Sequence, residues 1–249
     1  MNKPGRAYIG TSGWHYLHWK ELFYPKDIPP RGFLEFYARY FESAEINNTF
    51  YRLPEKETLL AWKKTVPRNF TFSVKASRYI THTKKLNDPK KTVPLFLKRT
   101  EELGEKLGVI IFQLPPHWQR DLERLIGLLK TLPRQHRYAF EFRDPSWFKP
   151  DVLRALEDHR AAFCIYELNG TLSPKAVTSD YVYIRLHGPK AAYQGRYSPA
   201  ALRLWSQEIQ AWNQQGKDVF CYFDNDERAY AVKNAQALKN LLSQKGAQS

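Results

Sequence analysis

Charged side chains recur at the ends of apolar, strand-like segments, where a buried strand would otherwise carry none. The two-residue alternation of a strand places Glu141 with Arg143 on one face, and Arg185 with His187 on another. Charged groups are almost never buried without a partner or a function. Carboxylate and imidazole groups move protons, and guanidinium groups bind anions. The pattern therefore predicts acid/base chemistry on a small anionic molecule.

The side-chain types suggest a role for each candidate residue. Glu141 and Glu45 are candidates for general acid or base, and His187 for a proton shuttle. Because Glu141 lies two positions from Arg143, we expect it to be ionised and to act as a base. The residues expected to bind substrate are Lys75, Arg143, Arg185, Asn47, Gln113, Asp224, Asn225, Trp14, Tyr51 and Trp147.

The segment SAEINNTFY, residues 43–51, has one face that is wholly polar or amphipathic if it forms a strand. As a strand it would place Glu45, Asn47, Thr49 and Tyr51 on one face. We therefore predict a second strand over residues 43–51 that directs its first three polar side chains inward. Tyr51 would lie at the rim of the sheet, where its flat ring suits a sugar or a nucleobase.

Two other interpretations of these charges stay open. Pairs such as Glu141 with Arg143, or Lys75 with Glu45, could be buried ion pairs with a structural role only. A metal site would draw on Glu45, Glu141, His187 and Asp224. The chain has no H-x-H, HExxH or paired-cysteine spacing, and carboxylates among Arg and Lys usually form ion pairs. We therefore predict no metal, and the sequence assigns no cofactor.

Eight strand-like segments alternate with about seven helical segments along the chain. The strands are predicted at 7–13, 43–51, 70–77, 108–115, 137–144, 161–168, 181–188 and 218–225. This alternation in 249 residues predicts an α/β fold, a single (β/α)8 TIM-like barrel domain over residues 1–249. The sixth connection, 169–179, lacks a helical period and is expected to be irregular. An open doubly wound sheet is disfavoured because no G-x-G-x-x-G follows the first strand.

The chain has a net charge of +14, from 39 basic and 25 acidic residues. Such an excess attracts anions of every kind, nucleic acid included. The densest basic stretch is 75–91, but no helix-turn-helix, zinc-finger or RNA-recognition pattern accompanies it. A nucleic-acid- or nucleotide-associated protein is therefore an alternative function, and a non-enzymatic small-molecule-binding protein is a second alternative. The oligomeric state is not predicted.

The chain carries neither a signal-peptide core nor the run of roughly 20 apolar residues that a membrane-spanning helix needs. We therefore expect a cytoplasmic protein with no membrane partner. Its two cysteines, Cys164 and Cys221, lie in apolar strand-like segments. Free cysteine is among the residues most often buried, so both are predicted to be buried, reduced thiols.

Seven short motifs along the chain resemble one family. They are GTSGW (10–14), E-x-N-x-TFY (45–51), F-x-V-K (72–75), QLPP (113–116), E-F-R-x-x-SW (141–147), R-x-HG (185–188) and YF-x-ND (222–226). Together, and in this order, they resemble Domain of Unknown Function 72. The resemblance implies a TIM-like barrel and a mostly bacterial and archaeal cytoplasmic protein, and it brings no established reaction. Asp224 departs from the asparagine expected in many relatives.

The leading prediction is thus a barrel enzyme that acts on a small phosphorylated or carboxylated metabolite. In such barrels the substrate site lies at the carboxyl-terminal mouth and draws residues from several strands. Hydrolase, lyase and isomerase reactions all stay open. The role of Glu45 also stays open, since it could move a proton, bind an ion, or only neutralise Lys75 and an arginine.

Overall fold

Parallel strands and helices alternate along residues 3–245, the part of the chain that the computed structural model describes. The strands are β1 (Ala7–Thr11), β2 (Ser43–Ile46), β3 (Thr71–Lys75), β4 (Leu107–Gln113), β5 (Arg137–Glu141), β6 (Ala162–Leu168), β7 (Thr171–Leu172), β8 (Tyr181–Leu186) and β9 (Asp218–Phe223). The α-helices are α1 (Phe33–Tyr37), α2 (Lys56–Thr65), α3 (Pro89–Thr92), α4 (Pro94–Thr100), α5 (Leu122–Leu129), α6 (Pro150–Asp158), α7 (Pro199–Gln214) and α8 (Tyr230–Lys245). None of these helices combines the length and apolarity needed to cross a membrane.

The strands form a nearly closed barrel in the order β1-β9-β8-β6-β5-β4-β3-β2, and all pairs along this path are parallel. The predicted TIM-like barrel is therefore confirmed. At the seam, β1 and β2 approach closely, and a single bridge joins Ser12 to Glu45. A β-carbon at Gly10 would lie 2.1 Å from the carbonyl oxygen of Ser43, so this approach requires glycine.

The sixth connection is irregular, as predicted. Instead of a helix, β7 turns back and pairs antiparallel with β6, through Glu167 with Leu172 and Leu168 with Thr171. The chain then runs without a helix to β8. The missing helix follows from the composition of this segment, which offers no apolar face at helical spacing.

Side chains alternate between the barrel interior and the layer beneath the helices. Tyr183 and Tyr222 lie in the interior cluster, whereas Phe140 and Ile184 belong to the outer apolar layer. This alternation is the one predicted from the strand period. Cys164 lies in the interior and Cys221 in the outer layer; both are buried and free. The prediction of reduced, buried thiols is thus confirmed.

The predicted strand over 43–51 is wrong in its second half. β2 ends at Ile46, and a single 3-10 turn, Asn48–Phe50, follows it. The Thr49 hydroxyl donates to the carbonyl oxygens of Ile46, at 3.1 Å, and Lys75, at 2.6 Å. Asn and Thr side chains offer the backbone such local alternatives to a sheet ladder. The two-residue alternation therefore stops at Ile46, and Tyr51 is 80% exposed.

Candidate functional site

Arg185 lies at the centre of a charged network that closes the carboxyl-terminal end of the barrel. Its side chain is fully buried. Nη1 donates to Glu141 Oε2 at 2.7 Å, and Nη2 donates to Glu45 Oε1 at 2.8 Å and Asp224 Oδ2 at 3.1 Å. Nη2 also contacts Ser12 Oγ at 3.0 Å. One guanidinium thus joins carboxylates from β2, β5 and the end of β9, and lies inside the network rather than at its surface.

His187 connects two of these carboxylates. Its Nδ1 lies 2.9 Å from Asp224 Oδ2, and its Nε2 lies 3.3 Å from Glu141 Oε1. Arg143 donates to Glu141 through Nε, and its Nη2 lies 3.0 Å from His187 Nε2. Nε2 therefore faces both a donor, the Arg143 guanidinium, and an acceptor, the Glu141 carboxylate, whereas Nδ1 faces the Asp224 carboxylate. The ring is thus oriented by a carboxylate, as a general base requires.

The two carboxylates that contact His187 are held ionised. Burial by itself would raise the pKa of Glu141, but Arg143 and Arg185 hold that pKa well below its usual range. Burial likewise opposes ionisation of Asp224, whose pKa is lowered by Arg185 and by its hydrogen bond with His187. Both groups are therefore ionised at neutral pH, and neither can donate a proton.

Lys75 ends β3 and lies on the same inward face as Ser73, whose hydroxyl contacts the interior Tyr222 at 2.9 Å. Its Nζ lies 4.4 Å from the centroid of the Phe50 ring. Among residues 3–245, no carboxylate lies within 4.0 Å of this ammonium. Burial, and next the charge of Arg185, lower the pKa of Lys75 to about 8.

The suggested ion pair between Glu45 and Lys75 is therefore wrong. Glu45 is instead enclosed by Arg185 and by two hydroxyls. Ser12 Oγ donates to Glu45 Oε1, and the Tyr183 hydroxyl donates to Glu45 Oε2 at 2.6 Å. The sequence reasoning missed both hydroxyls as partners of this carboxylate. Tyr183 could have been found, because it precedes Arg185 by two positions and so shares its inward face.

Three of the expected substrate-binding residues make other contacts. Trp147 is fully buried, stacks on Phe142 at 4.8 Å and donates to a loop carbonyl. Asn225 donates to the carbonyl oxygen of Gly195 at 2.7 Å and to a side chain of α8. Gln113 donates to the backbone of the next residue at 2.7 Å. Trp147 and Asn225 therefore secure loops around the mouth and are not part of the charged network.

A cleft of about 540 Å³ opens beside the network, over the seam between β1 and β2. Trp14, Tyr16, Asn47, Tyr51 and Trp62 contribute to its walls. The two tryptophan rings pack edge to face, with centroids 5.1 Å apart. The Tyr16 hydroxyl donates to the Ser12 carbonyl oxygen at 2.6 Å, so one wall of the cleft contacts a segment of the network. The expected aromatic residues Trp14 and Tyr51 thus share one cleft with Asn47.

The charged network is an ion-pair cluster in its observed form. Within residues 3–245, no group of three or more His, Cys, Asp or Glu side chains is arranged to hold a metal ion. The physical reason lies in the partners already described. Oxygens of Glu45, Glu141 and Asp224 face guanidinium groups, hydroxyls or the imidazole, and those donors occupy the positions that a cation would need.

Comparisons with known proteins agree with this fold. Residues 8–249 match the family described as "Protein of unknown function DUF72". The chain is 33% identical over 142 residues to the UPF0759 protein YecE of Escherichia coli, a match that covers 57% of this chain and spans half the length of YecE. It is 25% identical over 269 residues to the UPF0759 protein YunF of Bacillus subtilis, with 94% of each chain covered.

A solved structure of the same family has a similar fold. The crystal structure of a DUF72 family protein from Thermotoga maritima superposes with a TM-score of 0.87 at 28% identity, and the match covers 96% of this chain and 99% of that one. A similarity of this extent concerns the whole barrel, from the first strand to the last helix.

Proposed function

Because this chain belongs to the DUF72 family, whose description names no reaction, we propose its function from the chemistry of the barrel mouth. In this proposal the protein is an enzyme that moves a proton on a small anionic substrate, which carries a phosphate or a carboxylate group. The observation that carries this proposal is Lys75, a partly exposed cation that has no acidic partner among residues 3–245. An ammonium without a carboxylate contact is a binding group for an anion.

The other charges favour a substrate anion at Lys75 over one at Arg185. Arg185 is fully buried and contacts three carboxylates, so an additional anion would have to displace one of them. Arg143 contributes a second cation close to the mouth, although its Nε is already bound to Glu141. With a pKa of about 8, Lys75 is mostly protonated at pH 7 and attracts anions.

Proton transfer is assigned to His187 and Glu141. Asp224 fixes the orientation of the His187 ring from the Nδ1 side, which leaves Nε2 as the basic atom. Glu141 lies 3.3 Å from that nitrogen and is ionised, so it stabilises the imidazolium that forms when the ring takes up a proton. These two residues supply a base at the same end of the barrel as Lys75, which would hold the anion.

Anion binding can be tested without a known substrate. Inorganic phosphate and malonate are the two probes, and the readout is the free energy of unfolding in urea. A bound probe at 100 times its Kd would stabilise the protein by about 2.7 kcal/mol. We expect Lys75→Met to lose this stabilisation and Lys90→Met, which removes an exposed lysine of the same basic stretch, to keep it.

Two outcomes would overturn the proposal. One is that neither phosphate nor malonate stabilises the wild-type protein. The other is that Lys75→Met is stabilised as strongly as wild type, since the probe would then bind elsewhere on a surface of net charge +14.

Nucleic-acid binding is a second candidate, supported by one exposed surface. Tyr79 is 51% exposed, and the Lys84 ammonium lies 5.7 Å from the centroid of its ring. Arg78 and Lys85 are also exposed in this segment, which directly follows β3. Aromatic and basic side chains side by side can stack on bases and contact phosphates.

The two candidates predict opposite effects of the same variants. The second candidate would be favoured if the protein binds single-stranded DNA or tRNA at low salt. The double variant Lys84→Glu, Lys85→Glu should then abolish this binding, and Lys75→Met should leave it unaffected. Absence of binding at low salt would exclude it. A ligand that binds at the mouth and is never converted would favour the non-enzymatic alternative.

A further inference from the structure

Half-buried Lys75 differs in its contacts from Lys106, a buried lysine. Lys106 is 6% exposed, and its Nζ donates to the carbonyl oxygens of Lys63, at 2.6 Å, and Val66, at 2.7 Å. That lysine is held by two acceptors and has an evident structural role. Lys75, in contrast, has neither a hydrogen bond nor an ion pair at Nζ within residues 3–245, and faces the ring of Phe50.

A half-buried amine that has no acceptor among residues 3–245 is suited to act as a nucleophile. Burial disfavours its charged form, and the guanidinium of Arg185 disfavours it further. At a pKa of about 8, about a tenth of the amine is neutral at pH 7, compared with less than about one part in a thousand for an ordinary lysine. Desolvation beside another cation is a recognised way to activate such an amine toward carbonyl compounds.

We propose that Lys75 forms a Schiff base with the carbonyl carbon of an aldehyde or ketone substrate. Three observations carry this inference: Lys75 ends β3 on its inward face, its Nζ lies 4.4 Å from the centroid of the Phe50 ring, and no acceptor among residues 3–245 contacts that nitrogen. It rests on the proposed function for two features, the proton-transfer role of His187 and Glu141 and the anionic group that the same substrate is expected to carry.

The reaction balances without a redox step. The neutral amine adds to the carbonyl carbon, and a proton passes from nitrogen to oxygen to give a carbinolamine. The nitrogen lone pair then forms the C=N bond as the hydroxyl takes a proton and leaves as water. Counted from the ammonium form, one ammonium and one carbonyl give one iminium cation and one water. In this inference, His187 carries the proton between nitrogen and oxygen, which is the proton-transfer role proposed for it above.

The surrounding carboxylates favour the iminium product. Glu141, Asp224 and Glu45 each stabilise a positive charge at the Lys75 nitrogen. The iminium keeps that charge and withdraws electrons from the neighbouring carbon, so a proton on that carbon becomes easier to remove. This matches the ionised Glu141 and the oriented His187. The substrate class is therefore a carbonyl compound that reacts at the carbon next to its carbonyl group.

Reductive trapping tests the inference with two small probes. Glyoxylate is an aldehyde with a carboxylate, and acetaldehyde is an aldehyde without one. Each is added at pH 7 with sodium cyanoborohydride, and the labelled lysines are identified by mass spectrometry of peptides. We expect labelling of Lys75 at least tenfold faster than of the exposed Lys85, Lys90 and Lys91, and loss of this fast phase in Lys75→Met and Lys75→Arg. The urea midpoints of both variants verify that they fold.

The outcomes separate this inference from the proposed function. Equal labelling of Lys75 and the exposed lysines by both aldehydes would overturn the Schiff base, even if phosphate still stabilises the protein through Lys75. Selective labelling of Lys75 by both aldehydes, with no advantage for glyoxylate, would support the Schiff base and count against the anionic substrate. Fast labelling that persists in Lys75→Arg would place the reactive amine elsewhere and overturn the inference.

Discussion

Replacing Arg185 with methionine tests whether the charged network stabilises the barrel as one unit. The guanidinium is fully buried and contacts Glu45, Glu141 and Asp224 at 2.7 to 3.1 Å. Methionine fills similar space without a charge, so the variant leaves buried carboxylates without their main partner. Removing one partner of a buried ion pair costs about 3–5 kcal/mol. We expect Arg185→Met to lose a free energy of unfolding in this range at pH 7.

The loss should shrink as the pH falls. In the wild type, the pKa values of Glu141 and Asp224 are lowered. Their stabilising contribution is therefore present above the unfolded values near pH 4 and disappears as the pH falls through the lower folded values. Without Arg185, burial raises the pKa values of Glu141 and Asp224 above those in the wild type. The variant therefore protonates these carboxylates at a higher pH, and their buried negative charge no longer destabilises it. The difference between wild type and variant should narrow from pH 7 toward pH 4.5.

Urea denaturation at pH 7, 6, 5 and 4.5, followed by tryptophan fluorescence, measures this difference through the midpoint at constant m-value. Arg39→Met is the matched control, because Arg39 and its partner Glu35 are 64% and 66% exposed, and such surface pairs contribute less than about 1 kcal/mol. A loss below about 1 kcal/mol in Arg185→Met, or a loss that is the same at every pH, would refute the idea of a coupled buried network.

Three further predictions concern single positions. Gly10→Ala places a β-carbon 2.1 Å from a carbonyl oxygen of β2 and should lower the free energy of unfolding by about 1–3 kcal/mol. Gly127→Ala, in open space on α5, should raise it by about 0.5–1 kcal/mol. Equal urea midpoints for the two variants would contradict this prediction. Tyr183→Phe leaves Glu45 Oε2 without its 2.6 Å donor and should lower the free energy of unfolding by about 1–3 kcal/mol; an unchanged midpoint would contradict the contact. Burial lowers the pKa of His82 to about 4, so the wild type should lose stability as the pH falls from 6.5 to 4, and His82→Gln should lose less. An NMR titration of the His82 ring with a midpoint near pH 6.5 would disprove this prediction.

Local periodicity predicted most of the barrel and part of the site. The faces of β5 and β8 were assigned from the alternation alone, and the structure places Glu141, Arg143, Arg185 and His187 together as that alternation requires. These residues could be predicted because the direction of a side chain on a strand depends only on its parity.

The alternation failed where local hydrogen bonds replaced the strand. Asn47 has helical backbone angles, with φ −98° and ψ −25°, and the turn that follows it is closed by Thr49. A polar segment such as NNT reads equally well as a strand face or as a turn. Only the competition between the sheet ladder and side-chain hydrogen bonds decides between the two. Trp147 shows a related difficulty, because an aromatic residue after a strand can face either a ligand or the core, and here it faces Phe142.

The sequence by itself determined the alternation of eight strands with helices, the inward polar faces and the excess of positive charge, because each depends on residue types and their spacing. Only the tertiary structure decided which charges meet. The order of strands around the barrel brings Arg185 to Glu45, from segments 140 residues apart. It places no carboxylate of residues 3–245 within 4.0 Å of the Lys75 ammonium. Ion pairing depends on distances of a few ångströms between side chains on different strands, and local sequence does not specify those distances.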